Sequence, residues 1–206
     1  LKTLRNLRNG DIMKFLSPRF LKQTFTFLLL ASAGGFAQDS LPPQNIAFST
    51  STFEAPAFTA TYPVPDKDAV AYSSQEVKLK NGGTATLHNY ALSLHDDKDA
   101  FLVLYCDIPN TRGDKAALDQ MLDGALAQLD NAKPAPKTDS IYSGLPARMV
   151  TATGTYTLGK TTFNVKAYQR IAVQGTRVWQ GIVLCDQNTN CSEADANKFL
   201  DSIRIR

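Results

Sequence analysis

Residues that carry out chemistry are scarce in this chain. Of 206 residues, two are histidine, three are cysteine and one is tryptophan. With His88 and His95 the only imidazoles and no Gly-x-Ser-x-Gly stretch, a Ser–His–Asp hydrolase has little to be built from. No apolar run approaches the ~20 residues that a membrane-crossing helix requires. A charge excess of one sign is lacking as well. The formal net charge is +3, but residues 1–37 hold six basic side chains and one acid, so the remainder carries −2. A protein that binds nucleic acid or an anionic membrane by a basic surface is therefore not expected.

What is present begins with an export signal. Lys14, Arg19 and Lys22 approach the apolar run Phe25-Thr26-Phe27-Leu28-Leu29-Leu30-Ala31, and Gly35-Phe36-Ala37 sets small residues three and one before a cut ahead of Gln38. That is the layout of a secretory signal peptide, and no Cys stands at the cut to take a lipid. A second basic segment ahead of a complete signal has no physical task, so translation is expected to start at Met13. The expected organisation is a signal peptide over 1–37, a flexible leader rich in Ser, Thr, Gln and Pro over 38–56, and one domain over 57–206. The expected location is the periplasm or the cell exterior of a bacterium, with no membrane insertion after signal cleavage.

That compartment permits disulfides. Cys185 ends a strand-like run and Cys191 precedes a helix start, so a bridge would close Asp186-Gln187-Asn188-Thr189-Asn190 and contribute about 2 kcal/mol. Pairing through Cys106 is the alternative, because spacing does not fix connectivity. Otherwise Cys106 is a small apolar residue in the buried run 101–106, and nothing near it in sequence would make it a nucleophile.

Period-two patterning predicts strands over 57–61, 69–80 and 84–94, with Asn81-Gly82-Gly83 as a turn. Residues 100–108 are apolar on both parities and read as a strand buried on both faces. Leu118, Met121, Leu122, Ala125 and Leu129 recur at helical spacing, which predicts a helix over 114–131 capped by Asp114 and stopped by Lys133-Pro134-Ala135-Pro136. Strands follow over 147–157, 162–173 and 177–185. A Gln174-Gly175 turn would set Val173 against Thr176, Ala167 against Ile182 and Arg170 against Trp179, the last a cation–π pair. A Gly159-Lys160 turn would set Tyr156 against Phe163 and Ala152 against Ala167. Ser192-Glu193-Ala194-Asp195 reads as a capping box for a last helix with an Ala196, Phe199, Leu200, Ile203 stripe.

The order is now a short strand ending in Tyr62-Pro63-Val64-Pro65, a long antiparallel run, one mid-chain helix, Gly144-Leu145-Pro146 before three strands, and a closing Lys198-Phe199-Leu200-Asp201-Ser202-Ile203. Over roughly 57–206 it resembles the PsbP-like fold, named for the extrinsic lumenal subunit of photosystem II and shared by many exported bacterial proteins. The resemblance implies an α+β architecture: an antiparallel sheet of about six to eight strands with helices packed on both faces, an α/β/α sandwich. It also implies a non-catalytic accessory role, and it transfers no functional residue.

His95-Asp96-Asp97-Lys98-Asp99 is the densest set of possible metal ligands, but it fits no EF-hand spacing and Lys98 would repel a cation, so it reads as a solvated hairpin tip. His88 has the opposite parity to His95, which places the two on opposite faces of an unbroken strand and speaks against a two-His metal site. Arg112-Gly113-Asp114 and Asn190-Cys191-Ser192 match short motifs, but their residues already serve as caps and in the bridge. The face bearing Lys166, Tyr168, Arg170 and Trp179 is the candidate binding surface, unless a helix covers it. The expectation is an exported, non-catalytic accessory or binding protein with no cofactor or metal, acting on an unknown protein or small ligand of the cell envelope. A small-ligand carrier with a pocket between sheet and mid-chain helix is the alternative, and a hydrolase is a third reading.

Overall fold

A computed structural model describes residues 52–63, 69–78, 83–158 and 161–206. The signal peptide, the start at Met13, most of the leader and the turn residues Asn81, Gly82, Gly159 and Lys160 lie outside them. Eight strands form one antiparallel sheet: β3 (Ala71–Lys78), β4 (Thr84–Leu94), β5 (Asp99–Asp107), β6 (Asp130–Pro134), β7 (Thr138–Tyr142), β8 (Leu145–Leu158), β9 (Thr161–Gln174) and β10 (Arg177–Asp186). Their spatial order is β3-β4-β5-β10-β9-β8-β6, with β7 also on β8. Helix α1 (Lys115–Leu126) follows β5, and α2 (Glu193–Ser202) follows β10. A small sheet joins β1 (Phe53–Glu54), β2 (Phe58–Ala60) and β11 (Arg204–Ile205). β1 falls within the stretch read as leader, and Phe53 packs on Phe58, Tyr62 and Tyr90.

Side-chain alternation divides the interior into two large clusters. One gathers Phe58, Phe101, Trp179, Val183, Phe199 and Leu200; the other gathers Leu102, Leu122, Val150, Ile171, Ile182 and Leu184. β5 serves both, Phe101 and Val103 in the first and Leu102 and Leu104 in the second, which is why its apolar residues do not alternate. Each large apolar side chain so buried contributes roughly 1.5–3 kcal/mol.

Asp114 caps α1 by accepting from the Ala117 N–H. The helix ends at Leu126, earlier than the apolar spacing predicts. The Ala127 N–H turns back to the Asp123 and Ala125 carbonyls, Asn131 is left-handed (φ 55°), and Asp130–Pro134 pairs with β8 instead. Pro134 does not stop a helix here. It sits in an edge strand, where a missing N–H costs little.

The β8–β9 hairpin has the expected register, Tyr156 facing Phe163 and Ala152 facing Ala167. The β9–β10 hairpin is displaced by one step. Gln174 pairs with Arg177 and Val173 with Val178, so the turn is Gly175-Thr176. Gly175 has φ 62° and stands first in the turn, where a type II′ hairpin requires glycine. Faces keep their identity, since the shift moves partners by two residues. Arg170 therefore lies opposite Gly181 and not Trp179.

Ser192 and Asp195 form the reciprocal capping box of α2. Cys185 and Cys191 are bridged with Cα atoms 5.3 Å apart, and Cys106 is a free, buried thiol that burial pushes up to about 11.

Candidate functional site

The residues read from sequence as a binding surface lie largely inside. Trp179, Tyr168 and Arg170 are all buried beside the α2 side chains Phe199 and Leu200. The Arg170 guanidinium is 2.8 Å from Asp201 Oδ1 and donates to the Ile141 carbonyl at 3.2 Å. Lys166 reaches outward, 3.0 Å from Glu193 and 5.0 Å from the Tyr168 ring centroid. The cation over Trp179 is Arg177, at 5.8 Å, so the pair predicted for Arg170 is made instead from two residues earlier on Trp179's own strand.

The hairpin-tip carboxylates do not converge either. His95, Asp96 and Asp97 are all left-handed, and the Asp99 side chain is 0% exposed. Asp99 accepts from the Asp186 N–H and the Thr189 hydroxyl, both at 2.8 Å, and contacts His95 Nδ1. It is a hub tying the β4–β5 tip to the disulfide loop. Among the described residues no three His, Cys, Asp or Glu side chains gather as a metal site. Arg112 pairs with Asp114, which caps α1.

The partly open chemistry lies at the other end of the sheet. Alternation on β3, β4, β5 and β10 sends Tyr72, His88, Tyr105 and Arg177 to one face, and the register sets His88 beside Tyr105 and Asp107 beside Arg177. The rings stand in a row. Tyr72 is stacked on His88 at 6.1 Å and His88 on Tyr105 at 4.5 Å, with Tyr105 against Trp179 at 4.8 Å. Arg177 covers Tyr105 at 5.0 Å and grips Asp107 through two bonds of 2.8 and 2.6 Å. The Tyr72 hydroxyl lies 2.9 Å from His88 Nδ1. Tyr72 is 52% exposed, one of two exposed large apolar side chains among the described residues.

The electrostatics follow from this packing. Burial and the Arg177 charge hold His88 below the usual histidine range, against a weaker pull from Asp107. The hydrogen bond from Arg177 holds Asp107 below the usual carboxylate range, and burial pushes Tyr90 up to about 12. Between its depressed folded pKa and an unfolded value near ~6.5, His88 binds more protons in the unfolded chain, so stability falls as pH drops through that window. The groups facing it are Tyr72 from β3, Tyr105 and Asp107 from β5, and Arg177 from β10. Urea titrations from pH 7.5 to 5 should show this slope, and His88→Phe should flatten it.

Of these residues only His88 stands out in the sequence as a candidate. Tyr72, Tyr105, Asp107 and Arg177 join it only through cross-strand register, and Asp107 and Arg177 are 70 residues apart.

The class these elements define is an α+β protein built mostly of antiparallel sheet, one sheet of eight strands and one of three, with two helices among the described residues. The chain is similar to the solution structure of cyanobacterial PsbP (CyanoP) from Synechocystis sp. PCC 6803, at 10% identity over 86% of this chain and 99% of that one, with a TM-score of 0.45. It is also similar to the crystal structure of LpqN, involved in cell envelope biogenesis of Mycobacterium tuberculosis, at 14% identity over 65% of this chain and 91% of that one, TM-score 0.40. The likeness concerns the PsbP-like fold and nothing further. No family model matches the chain, and no curated protein does. Among the described residues no helix is long and apolar enough to cross a membrane.

Proposed function

We propose that this is an exported, non-catalytic accessory or binding protein that works in the periplasm or outside the cell by surface contact with a protein of the cell envelope. The contact surface is the ring row, with Tyr72, His88 and Arg177 as its accessible members. The observation that carries the reading is the half-exposed Tyr72 stacked at the outer end of an ordered row and flanked by an Arg–Asp pair, since aromatic and Arg side chains dominate binding energy at protein contacts. The disulfide supports an oxidising compartment. The α/β/α arrangement belongs to the same reading. On β10, Val183 shares a cluster with α2 and its neighbours Ile182 and Leu184 share one with α1, which supports helices on opposite faces; on the α2 side Tyr90 and Tyr105 are covered while Tyr72 at the β3 edge stays exposed.

The test is a quantitative pull-down from an envelope extract of the producing organism, with the mature domain and its Tyr72→Ala/Arg177→Ala variant. A partner enriched at least tenfold on the wild type and lost on the variant supports the reading. Equal recovery on both overturns the assignment of the surface.

One observation favours a small-ligand carrier as the second reading. Asn89, Gln169 and Gln180 are buried carboxamides on the sheet face that receives α1, and the Asn89 side-chain oxygen has no hydrogen-bond partner. A polar ligand group between sheet and α1 would satisfy it.

A further inference from the structure

The rings form a continuous path from core to surface. Trp179 lies 4.8 Å from Tyr105, Tyr105 lies 6.4 Å from Tyr90, and Tyr90 lies 4.8 Å from Tyr72, centroid to centroid. Trp179 is fully buried, and Tyr72 is the one exposed tyrosine among the described residues. Indoles and phenols are among the side chains that most readily lose one electron, and rings in contact exchange it easily. A phenol holds the vacancy when its proton can leave in the same event, which requires a base at the hydroxyl. Tyr90 hydrogen-bonds Tyr105, another phenol. Tyr72 alone in the path has an imidazole nitrogen at its hydroxyl, 2.9 Å away.

We propose that Tyr72 is the site at which one-electron oxidation of this protein comes to rest, with His88 Nδ1 taking the phenolic proton. An outer-sphere one-electron oxidant removes one electron from the row and is itself reduced by one. The Tyr72 O–H bond breaks, the proton moves to His88, and a neutral phenoxyl radical faces an imidazolium. A vacancy formed first on Trp179 is filled from Tyr72 through Tyr105 and Tyr90, which restores the indole. The radical then takes a hydrogen atom from an external thiol, which becomes a thiyl radical, or two phenoxyl radicals couple into dityrosine; in either case His88 releases its proton to water. His88 suits the role because burial and Arg177 keep it neutral at pH 7, while Asp107 on the Arg177 side steadies the imidazolium once formed.

The experiment oxidises the full chain with photogenerated tris(bipyridyl)ruthenium(III), persulfate being the electron sink. It follows the tyrosyl signal by freeze-quench electron paramagnetic resonance and maps oxidised residues by peptide mass spectrometry. In the wild type the radical and the modification should fall on Tyr72, with Trp179 intact. Tyr72→Phe should abolish that signal and raise Trp179 oxidation severalfold. His88→Phe keeps the stack and the exposure of Tyr72, yet should slow its oxidation by about tenfold or more. In the wild type the rate should fall as acid protonates His88, which tests the base without a substitution. Equal Tyr72 oxidation in wild type and His88→Phe, a rate indifferent to acid, or Trp179 oxidation unchanged in Tyr72→Phe would overturn the proposal.

Discussion

Gly181→Val should be among the most damaging single substitutions in the sheet, lowering stability by about 3 kcal/mol in urea unfolding and the melting temperature by roughly 10 °C. Gly181 lies in β10 between Arg170 on β9 and Val103 on β5. A Cβ there would stand 2.6 Å from Leu200 Cδ2, 3.1 Å from the Tyr142 hydroxyl and 3.4 Å from Ile203 Cδ1. The end of a leucine can swing aside at a surface, but Leu200, Tyr142 and Ile203 are all fully enclosed. The two methyls of a valine would have to enter the space that lets α2 lie directly on the sheet. Gly181→Ala should show the same sign at roughly half the size. A valine variant with wild-type stability would mean that α2 is not seated as described.

The second large effect is at Asp99. Asp99→Ala should cost about 3 kcal/mol, because the carboxylate accepts from a buried main-chain N–H, a hydroxyl and an imidazole, and bonds to a charged acceptor are worth roughly 1.5–3 kcal/mol each before relaxation. The Asp186 N–H would be left buried without its acceptor. Thr189→Val removes one of these bonds and should cost about 1 kcal/mol. Hydrogen exchange gives the specific readout. The Asp186 amide should lose protection in Asp99→Ala while the amides of β8 and β9 keep theirs. A drop spread evenly over the sheet would point to general destabilisation and not to this hub.

Much of the architecture was legible where local chemistry and tertiary demand agree. The doubly apolar run that became β5, the β8–β9 register and the Ser192–Asp195 capping box all follow from residue order, since each needs only neighbours in sequence or a face buried on both sides. Where they diverge, the reading failed. Leu129 continues the helical stripe, but strand pairing claims Asp130 onward, because β8 is fourteen residues long and its outer edge is met by β6 and β7. The Gly175 turn could be phased two ways, and only the position of φ > 0 decides. Tyr168, Arg170 and Trp179 carry the composition of a contact surface, yet an amphipathic strand does not say which of its faces a later helix will cover. The ring row was illegible for another reason. Its members come from four strands whose mutual register is set by the sheet as a whole.

The order of the strands has one more consequence. β3, β4 and β5 form one meander of neighbours in sequence, and β8, β9 and β10 form another; within the sheet the two halves pair with each other along β5 and β10, where Asp107 meets Arg177 from 70 residues away. Each half can zip up through short turns, but the seam has to wait for a long chain segment to close on itself. The rate at which this protein reaches its native state should therefore respond to substitutions along that single junction far more than to equally buried ones within either half.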